Sequence, residues 1–107
     1  MGKDDLQGAL DLLVLRTLVR EPMHGYGLVR RIQQVTDGAL IVEEGSLYPA
    51  LHRMEIAGWI KADWKMTEAG RRAKFYSLTI AGKKQLAAEE ENWTRVTSAV
   101  EKVLKLA

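Results

Sequence analysis

The chain has 107 residues, of which 47% are hydrophobic and 28% are charged, so it is large enough for one hydrophobic core and too small for two. This composition excludes a disordered chain, and the absence of cysteine excludes disulfides, thiolate nucleophiles and thiolate metal sites. The formal net charge of +2 is unevenly distributed: residues 45–76 carry six basic and three acidic side chains and are the only clearly basic part of the chain.

The N-terminal segment, residues 1–5, carries two aspartates and one lysine, whereas a secretory signal begins with basic residues. No segment reaches the ~20 consecutive apolar residues that a membrane-spanning helix requires. The sequence therefore predicts a cytoplasmic protein without a membrane partner.

The first predicted helix spans residues 6–20, with Asp4 or Asp5 as its cap, and ends before Pro22. Nine of the fourteen residues 6–19 are apolar. Because a surface helix needs a single apolar face, we expect this helix to pack against two partners, one of which a second chain can supply.

A second helix is predicted to begin within Met23–Gly27 and to end near Asp37. Tyr26, Val29 and Ile32 form its expected buried stripe. A short apolar connector then leads to the third helix.

The third helix is predicted to have Ser46 as its N-cap, to hold Pro49 in its first turn and to end at Gly58. Spacings of four and three residues place three apolar side chains inward, namely Leu47, Leu51 and Met54. The outward side carries Pro49, His52, Arg53 and Ile56.

The period of the hydrophobic pattern then changes from that of a helix to that of a strand. Residues 59–65 form the first predicted strand, with Ile60, Ala62 and Trp64 on its buried face. Residues 74–79 form the second strand, and the polar, glycine-containing segment between the two gives a β-hairpin with a long basic tip.

The last predicted helix is capped by Thr79 and reaches Leu106. Its apolar residues follow a heptad pattern at Leu86, Trp93, Val96, Val100, Val103 and Ala107. This repeat is typical of a coiled-coil seam of just over two heptads. Since the first helix also needs a second partner, we expect a homodimer.

In this order the elements indicate a mainly α fold with a small β-hairpin: a winged helix-turn-helix over residues 1–79 and a C-terminal dimerisation helix over residues 80–107. The major groove of B-DNA admits one helix, and a basic loop can reach the neighbouring phosphates. The third helix is therefore the candidate recognition helix and the hairpin the candidate wing. Their candidate DNA-contacting residues are Ser46, Tyr48, His52, Arg53, Lys65, Arg71, Arg72 and Lys74.

Several of these residues also fit structural roles. Tyr48 is equally suited to a core position, and Arg53 can pair with Glu55 or Glu44 on the surface. The wing cations, with Glu68 as their one nearby acid, are also typical of a solvated hairpin tip.

The chain offers no assembled catalytic constellation. His24 and His52 lie on different predicted helices without a carboxylate at metal-ligand spacing. The glycines of residues 25–27 lack both the third glycine and the preceding strand of a dinucleotide-binding motif. We therefore expect no enzymatic activity, no metal site and no cofactor.

Three motifs, His24–Gly27, Gly45–Leu51 and Gly70–Thr79 followed by Gly82, resemble those of the PadR family of prokaryotic transcriptional regulators over essentially the whole chain. The resemblance implies a homodimeric winged-helix repressor of the short branch, whose C-terminal helix contacts the first helix of the partner. Ala73 departs from the family, in which a basic residue is common there, and this lowers the expected number of phosphate contacts. The DNA contacts that the resemblance implies are made by Ser46, Tyr48, Arg71, Arg72 and Lys74.

Trp93 has two interpretations. Its heptad position is typical of seam packing, whereas the resemblance implies that a tryptophan here stacks on flat aromatic ligands at the dimer interface. Asp11 is either a solvated helix residue or a group that favours a cationic ligand. The effector site of the second interpretation comprises Asp11, Leu12, Trp93, Val96 and Thr97.

Together these features predict a DNA-binding transcriptional regulator, a repressor that binds a near-palindromic operator in double-stranded DNA as a homodimer, with release by a small aromatic effector as an additional hypothesis. Two other functions stay open: a winged-helix protein-interaction module that binds an acidic partner, and a small-ligand carrier built around Trp93. Steep salt dependence of binding to duplex DNA would distinguish the regulator from both.

Overall fold

In a computed structural model, which describes residues 3–106 with side chains from Gly8 onward, the chain has four helices and one three-stranded sheet. This architecture confirms the predicted fold class. Met1, Gly2 and Ala107, the last of which ends the predicted seam, lie outside the described residues. The elements are α1 (Lys3–Thr17), β1 (Met23–His24), α2 (Gly25–Val35), α3 (Glu44–Ile56), β2 (Ile60–Met66), β3 (Arg72–Leu78) and α4 (Ile80–Leu104).

A single core is formed by α1, α2, α3 and the base of the hairpin. The inward positions predicted for the third helix are confirmed, and complete burial of such a side chain contributes roughly 1.5–3 kcal/mol. This burial holds one face of α3 against the core and leaves the opposite face exposed to solvent. The fully buried side chains are Val14, Leu15, Leu28, Leu47, Leu51, Met54 and Ile60.

The first helix lies three residues closer to the N-terminus than the predicted span of 6–20. Asp4 and Asp5 are therefore part of α1 and do not precede it, so the predicted cap is wrong. Residues 18–20 form a turn after the helix, and the N–H of Leu18 still donates to a carbonyl of the last turn.

The third helix also begins early, and the predicted cap by Ser46 is wrong. Glu43 holds the cap position without a side-chain hydrogen bond, so Ser46 lies in the first turn of α3. Pro49 consequently lies in the second turn, where it has no N–H to donate to the carbonyl of Gly45. The start of α3 is therefore determined by the packing of its buried face more than by local capping.

Side chains close the N-termini of α2 and α4 in the same way. Nδ1 of His24 accepts a hydrogen bond of 3.0 Å from the N–H of Gly27, and Oγ1 of Thr79 accepts one of 3.0 Å from the N–H of Gly82. Each bond satisfies a backbone donor that has no partner within the helix. The Thr79 cap confirms the prediction, whereas the His24 cap adds a structural role for the first residue of the His-Gly-Tyr-Gly motif.

The hairpin is correct in its strands but projects further from the core than predicted. β3 lies between β1 and β2, and the pairing of β2 with β3 runs from Ile60 opposite Leu78 to Met66 opposite Arg72. Ile60 is buried as predicted, but the prediction for Trp64 is wrong, since its side chain is 61% exposed. The reason is that β1 pairs only with Phe75 and Tyr76, so the outer half of the hairpin extends past the packed layer.

α4 meets the hairpin through a contact that leaves no room for a side chain. A Cβ atom at Gly82 would lie 2.0 Å from the carbonyl oxygen of Trp59. One turn later Leu86 is buried in the chain's own core, so it does not belong to the predicted seam between chains. None of residues 87–104 is buried. Within the part of the chain that the structure describes, no helix is both long and apolar enough to span a membrane.

Candidate nucleic-acid interface

The outward face of α3 presents three of the predicted DNA-contacting residues. Ser46, Tyr48 and His52 are exposed, while the opposite face of the same helix is buried in the core. The structure thus leaves these three side chains accessible to a large ligand such as duplex DNA.

Tyr48 combines exposure with a fixed position. Its side chain is 46% exposed, which excludes a fully buried core role. Its hydroxyl end lies against the backbone of α2, because a Cβ at Gly25 would lie 2.7 Å from the hydroxyl oxygen and 2.8 Å from two ring carbons. The second residue of the His-Gly-Tyr-Gly motif is therefore glycine because the Tyr48 ring occupies the space of a side chain.

Arg53 differs from the other candidates on α3, because it is tied to the first helix. Its guanidinium donates two hydrogen bonds, of 2.9 and 2.6 Å, to the carboxylate of Asp11. Asp11 is only 3% exposed, so the prediction of a solvated residue is wrong. The expected surface pairing of Arg53 with Glu55 or Glu44 is likewise replaced by this bidentate pair.

Electrostatics around Arg53 connect three helices. The hydrogen bond to Asp11 raises the pKa of the Arg53 guanidinium above its usual value, and Glu89 of α4 adds a further attraction. Gln85 donates a hydrogen bond of 2.8 Å to Glu89, whose other carboxylate oxygen approaches Gly8 of α1. The side chain of Arg53 thus holds α3 to α1 in front of α4.

Of the wing cations, Lys74 is paired with a carboxylate, whereas Arg72 and Lys65 lie near aromatic rings. Lys74 lies 3.1 Å from a carboxylate oxygen of Glu55 on α3, and this hydrogen bond raises the pKa of Lys74. The sequence suggested that Glu68 was the only acid near the wing, but Glu55 is a second one. Arg72 lies over the exposed ring of Trp64 at 5.6 Å, and Lys65 lies 6.0 Å from the ring of Phe75.

Beside Lys74, Tyr76 is the buried tyrosine of the central strand. Burial raises the pKa of its hydroxyl, while the charge of Lys74 opposes the shift. The ammonium group lies 5.7 Å from the ring centroid of Tyr76. Lys74 is consequently engaged at the base of the wing, with Glu55 and Tyr76 around it.

A groove of about 1180 Å³ runs between α2 and the wing, and sequence reasoning missed the basic residues on its α2 side. One wall carries Tyr26 and Arg30, one helical turn apart, together with Arg31, and the other wall carries Arg71 and Arg72. Tyr26 is half-exposed, which corrects its predicted place in the buried stripe. The spacing of residues 26 and 30 is the sequence signal for this wall, but the acidic residues elsewhere in the first third of the chain conceal it.

The residues predicted for an effector site and a dimer seam lie on α1 and along α4. Leu12 and Val96 are half-buried, Thr97 is exposed, and Trp93 is 40% exposed. Val100 and Val103 are exposed further along the same helix. In a single chain these apolar side chains therefore form a face of α4 in contact with solvent.

Comparison with known proteins identifies relatives over most of the chain. The family model described as "Transcriptional regulator PadR-like family" matches residues 14–88. A transcriptional regulator structure from Clostridium thermocellum superposes with a TM-score of 0.85 at 28% identity, covering 98% of this chain and 99% of the other. A PadR family regulator structure from Eggerthella lenta has a TM-score of 0.76 at 32% identity, covering 95% of this chain and 88% of the other. An uncharacterised protein of Lysinibacillus sphaericus is 26% identical over 92% of this chain and 90% of its own length.

Proposed function

Since this chain belongs to the PadR-like family of transcriptional regulators, we propose that it binds a near-palindromic operator in double-stranded DNA as a homodimer and represses transcription there. The observation that carries this proposal is the juxtaposition of an exposed recognition face on α3 with a projecting basic hairpin. In the proposed complex α3 enters the major groove, and the wing reaches the adjacent phosphates. The α3 contacts are assigned to Ser46, Tyr48 and His52, and the wing contacts to Lys65, Arg71 and Arg72.

Arg53 and Lys74 have a smaller role in this proposal than the sequence suggested. Each already pairs with a carboxylate of its own chain, at 2.6 Å for Arg53 and 3.1 Å for Lys74. A phosphate has to compete with Asp11 or Glu55 for these cations. Their charges are therefore assigned chiefly to holding α3 against α1 and the wing against α3.

We assign DNA binding to residues 1–79, called the winged unit below, and dimerisation to residues 80–107, which contain α4. The apolar face of α4 contains three exposed residues, Trp93, Val100 and Val103, and the half-buried Val96. A helix of 25 residues is about 37 Å long, sufficient to pair along two further heptads beyond the winged unit. A two-fold axis through this face presents two α3 helices to one side of the duplex, which requires half-sites about one helical turn, or a multiple of it, apart.

The same axis brings the two Trp93 rings toward each other, and we assign a flat aromatic effector to the space between them. Leu12, Val96 and Thr97 lie on the elements beside this tryptophan. Asp11 takes no part, because Arg53 occupies its carboxylate. Such a ligand regulates DNA binding only if it binds the competent and incompetent spacings of the two α3 helices unequally.

Titration of a labelled duplex containing the promoter of the protein's own gene, monitored by fluorescence anisotropy at several salt concentrations, tests the proposal. The logarithm of the affinity should fall linearly with the logarithm of the salt concentration. Replacing Arg71 and Arg72 with Ala should weaken binding to all duplexes alike and reduce this slope by up to about two per protomer. The matched control replaces Lys83 and Lys84 with Ala; these exposed residues lie near the start of α4, away from the hairpin tip, and the change should leave both quantities unchanged.

A winged-helix module that binds an acidic protein is the alternative, and the exposed apolar side chains of Trp64 and Met66 on the wing favour it over a carrier function. In that case duplex DNA would bind weakly and without preference for a promoter sequence. Sequence-specific duplex binding that saturates at one dimer per near-palindromic site would exclude the module.

A further inference from the structure

Basic side chains near the proposed interface differ in whether their charge is neutralised within the chain. Arg53 and Lys74 are paired with Asp11 and Glu55. By contrast, no carboxylate among the described residues lies within 4.0 Å of the cationic nitrogens of Arg30, Arg31, Arg71 or Arg72. These four arginines line one groove, in which the acidic residues are Glu21 and Glu68. An excess of unpaired guanidinium groups in one groove attracts an extended anion.

Aromatic rings restrict two of these arginines: the ring of Tyr26 lines the groove, whereas the ring of Trp64 lies outside its lining. On α2 the guanidinium carbon of Arg30 lies 5.7 Å from the ring centroid of Tyr26, the residue one turn earlier. On the wing Arg72 lies over Trp64 at 5.6 Å. Stacking against a ring restricts a long side chain while leaving its N–H donors available for a phosphate.

The sheet determines where this groove lies relative to α3. His24 pairs with Phe75 of β3, and α2 begins at the next residue, so the start of α2 lies beside the wing. The contact of Tyr48 with Gly25 places the start of α2 beside the first turns of α3 as well. The start of α2 thus lies between the proposed recognition helix and the wing, and in helix-turn-helix proteins the helix at this place crosses the DNA backbone.

We propose that one phosphate strand of the operator runs through the groove between α2 and the wing. Arg30 and Arg31 contact its phosphates from α2, and Arg71 and Arg72 contact them from the wing, while Tyr26 positions Arg30. The bidentate fork of arginine suits phosphate oxygens, and several phosphate contacts on both sides of one strand set the register of α3 in the major groove. This inference rests on the proposed DNA binding and adds α2 to the surface that performs it.

The variant Arg30→Gln removes one of these charges at an exposed position, so the fold should be unaffected. Affinity for the labelled promoter duplex should fall about 5- to 10-fold at moderate salt, and the salt slope should fall by about one for each phosphate that the variant no longer binds. Arg30→Lys retains the charge and should restore most of the slope while recovering only part of the affinity. The matched control is Arg95→Gln, an exposed arginine on α4, for which neither quantity should change.

The positioning role of Tyr26 has its own readout. Tyr26→Leu should weaken binding in the wild-type background but have little further effect in the Arg30→Gln background, because the ring acts through that arginine. Tyr26→Phe keeps the ring and should behave like the wild type in this respect. Thermal melting by circular dichroism checks that each variant is folded.

The outcomes separate the two proposals. If the wild type binds the duplex and the Arg71→Ala, Arg72→Ala variant loses affinity, but Arg30→Gln and Arg31→Gln keep both affinity and slope, the phosphate strand does not pass along α2 and the groove proposal is wrong. If the wild type shows no salt-dependent duplex binding, the proposed function itself is wrong, and the groove proposal is overturned with it. Binding of an acidic protein that Arg30→Gln abolishes, without duplex binding, would likewise overturn both proposals.

Discussion

The winged unit and the distal part of α4 differ in the burial of their apolar side chains. In the winged unit the largest aliphatic side chains, including Leu15, Leu28 and Leu51, have no solvent exposure within a single chain. Beyond Leu86, by contrast, α4 has no buried residue, and Val103 is 66% exposed. The core of the winged unit is therefore completed within its own chain, whereas the apolar side chains of distal α4 are left to solvent, where the proposed dimer would cover them.

The junction of these two regions is short and specific. α4 is attached through its first two turns, where Gly82 touches the backbone of Trp59 and Leu86 enters the core. Further along, the pair of Arg16 with Glu90 is long, at 3.9 Å, and exposed, so it contributes little. The direction of α4 is consequently set by its N-terminal end together with its packing against α1, and in the proposed dimer this direction determines how far apart the two α3 helices lie.

The largest effect is expected for Val100→Glu in the distal part of α4. Both copies of the new carboxylate would be buried in the proposed seam, at a cost of several kcal/mol each. We expect the wild type to sediment as a dimer at micromolar concentration and the variant as a monomer. Because the core of the winged unit is closed within one chain, the monomer should retain the helical circular dichroism spectrum of a folded protein.

The matched control is Ser98→Glu, an exposed residue that lines the polar side of the same helix. This variant should remain dimeric. A dimeric Val100→Glu variant, or a monomeric wild type, would mean that the apolar face of α4 does not associate with a second copy.

Gly82→Ala tests the junction and is expected to lower the free energy of unfolding by about 3 kcal/mol, the upper range for overpacking. The new Cβ would lie 2.0 Å from the carbonyl oxygen of Trp59, and backbone atoms on both sides have to move. Gly45→Ala is the control, because its Cβ meets no atom within 4 Å and it lies inside α3, where alanine is favoured. Urea denaturation measures the stability of both variants, and equal stabilities would contradict the close contact proposed for Gly82.

Features that depend on neighbouring residues could be predicted from the sequence. The inward spacing of Leu47, Leu51 and Met54 and the cap by Thr79 involve interactions within one or two turns, and the structure confirms them. The alternation that includes Trp64 is correct in period but wrong in burial. A strand pattern identifies two faces, whereas only the arrangement of distant elements decides how far a covering layer extends.

The candidate site shows the same limit for charges. Arg53 looks like an outward cation in the helical pattern, but its partner Asp11 is 42 positions away, and no local window contains both. Arg30 shows the converse case, since it lies in the acidic first third of the chain and is brought beside the basic wing by the pairing of β1 with β3. Net charge along the chain therefore predicts a DNA-binding surface only where the surface is local in sequence.

Asp11→Asn tests the ion pair that holds α3 within the winged unit. We expect a loss of about 2 kcal/mol, below the 3–5 kcal/mol of a fully buried pair, because the side chain of Arg53 is 36% exposed. Glu55→Gln, which breaks the more exposed pair with Lys74, should cost less than about 1 kcal/mol. If urea denaturation showed the same loss of unfolding free energy for both variants, the burial of Asp11 would not strengthen its ion pair with Arg53.

An effect smaller than that of Asp11→Asn is expected for the cap of α2. His24→Ala removes both the hydrogen bond from the N–H of Gly27 and the edge-on contact of the imidazole with Phe75, at 5.1 Å between ring centroids. His24→Asn also removes the ring but keeps a side-chain acceptor that is favoured at this position, so the difference between the two variants isolates the cap, worth about 1 kcal/mol. Thr79→Ala at the start of α4 should cost more than this difference, because the Thr79 hydroxyl also donates to the carbonyl of Gly58. Urea denaturation at constant pH measures all three, and equal stabilities of the alanine and asparagine variants at position 24 would show that His24 stabilises α2 through its ring and not through its acceptor.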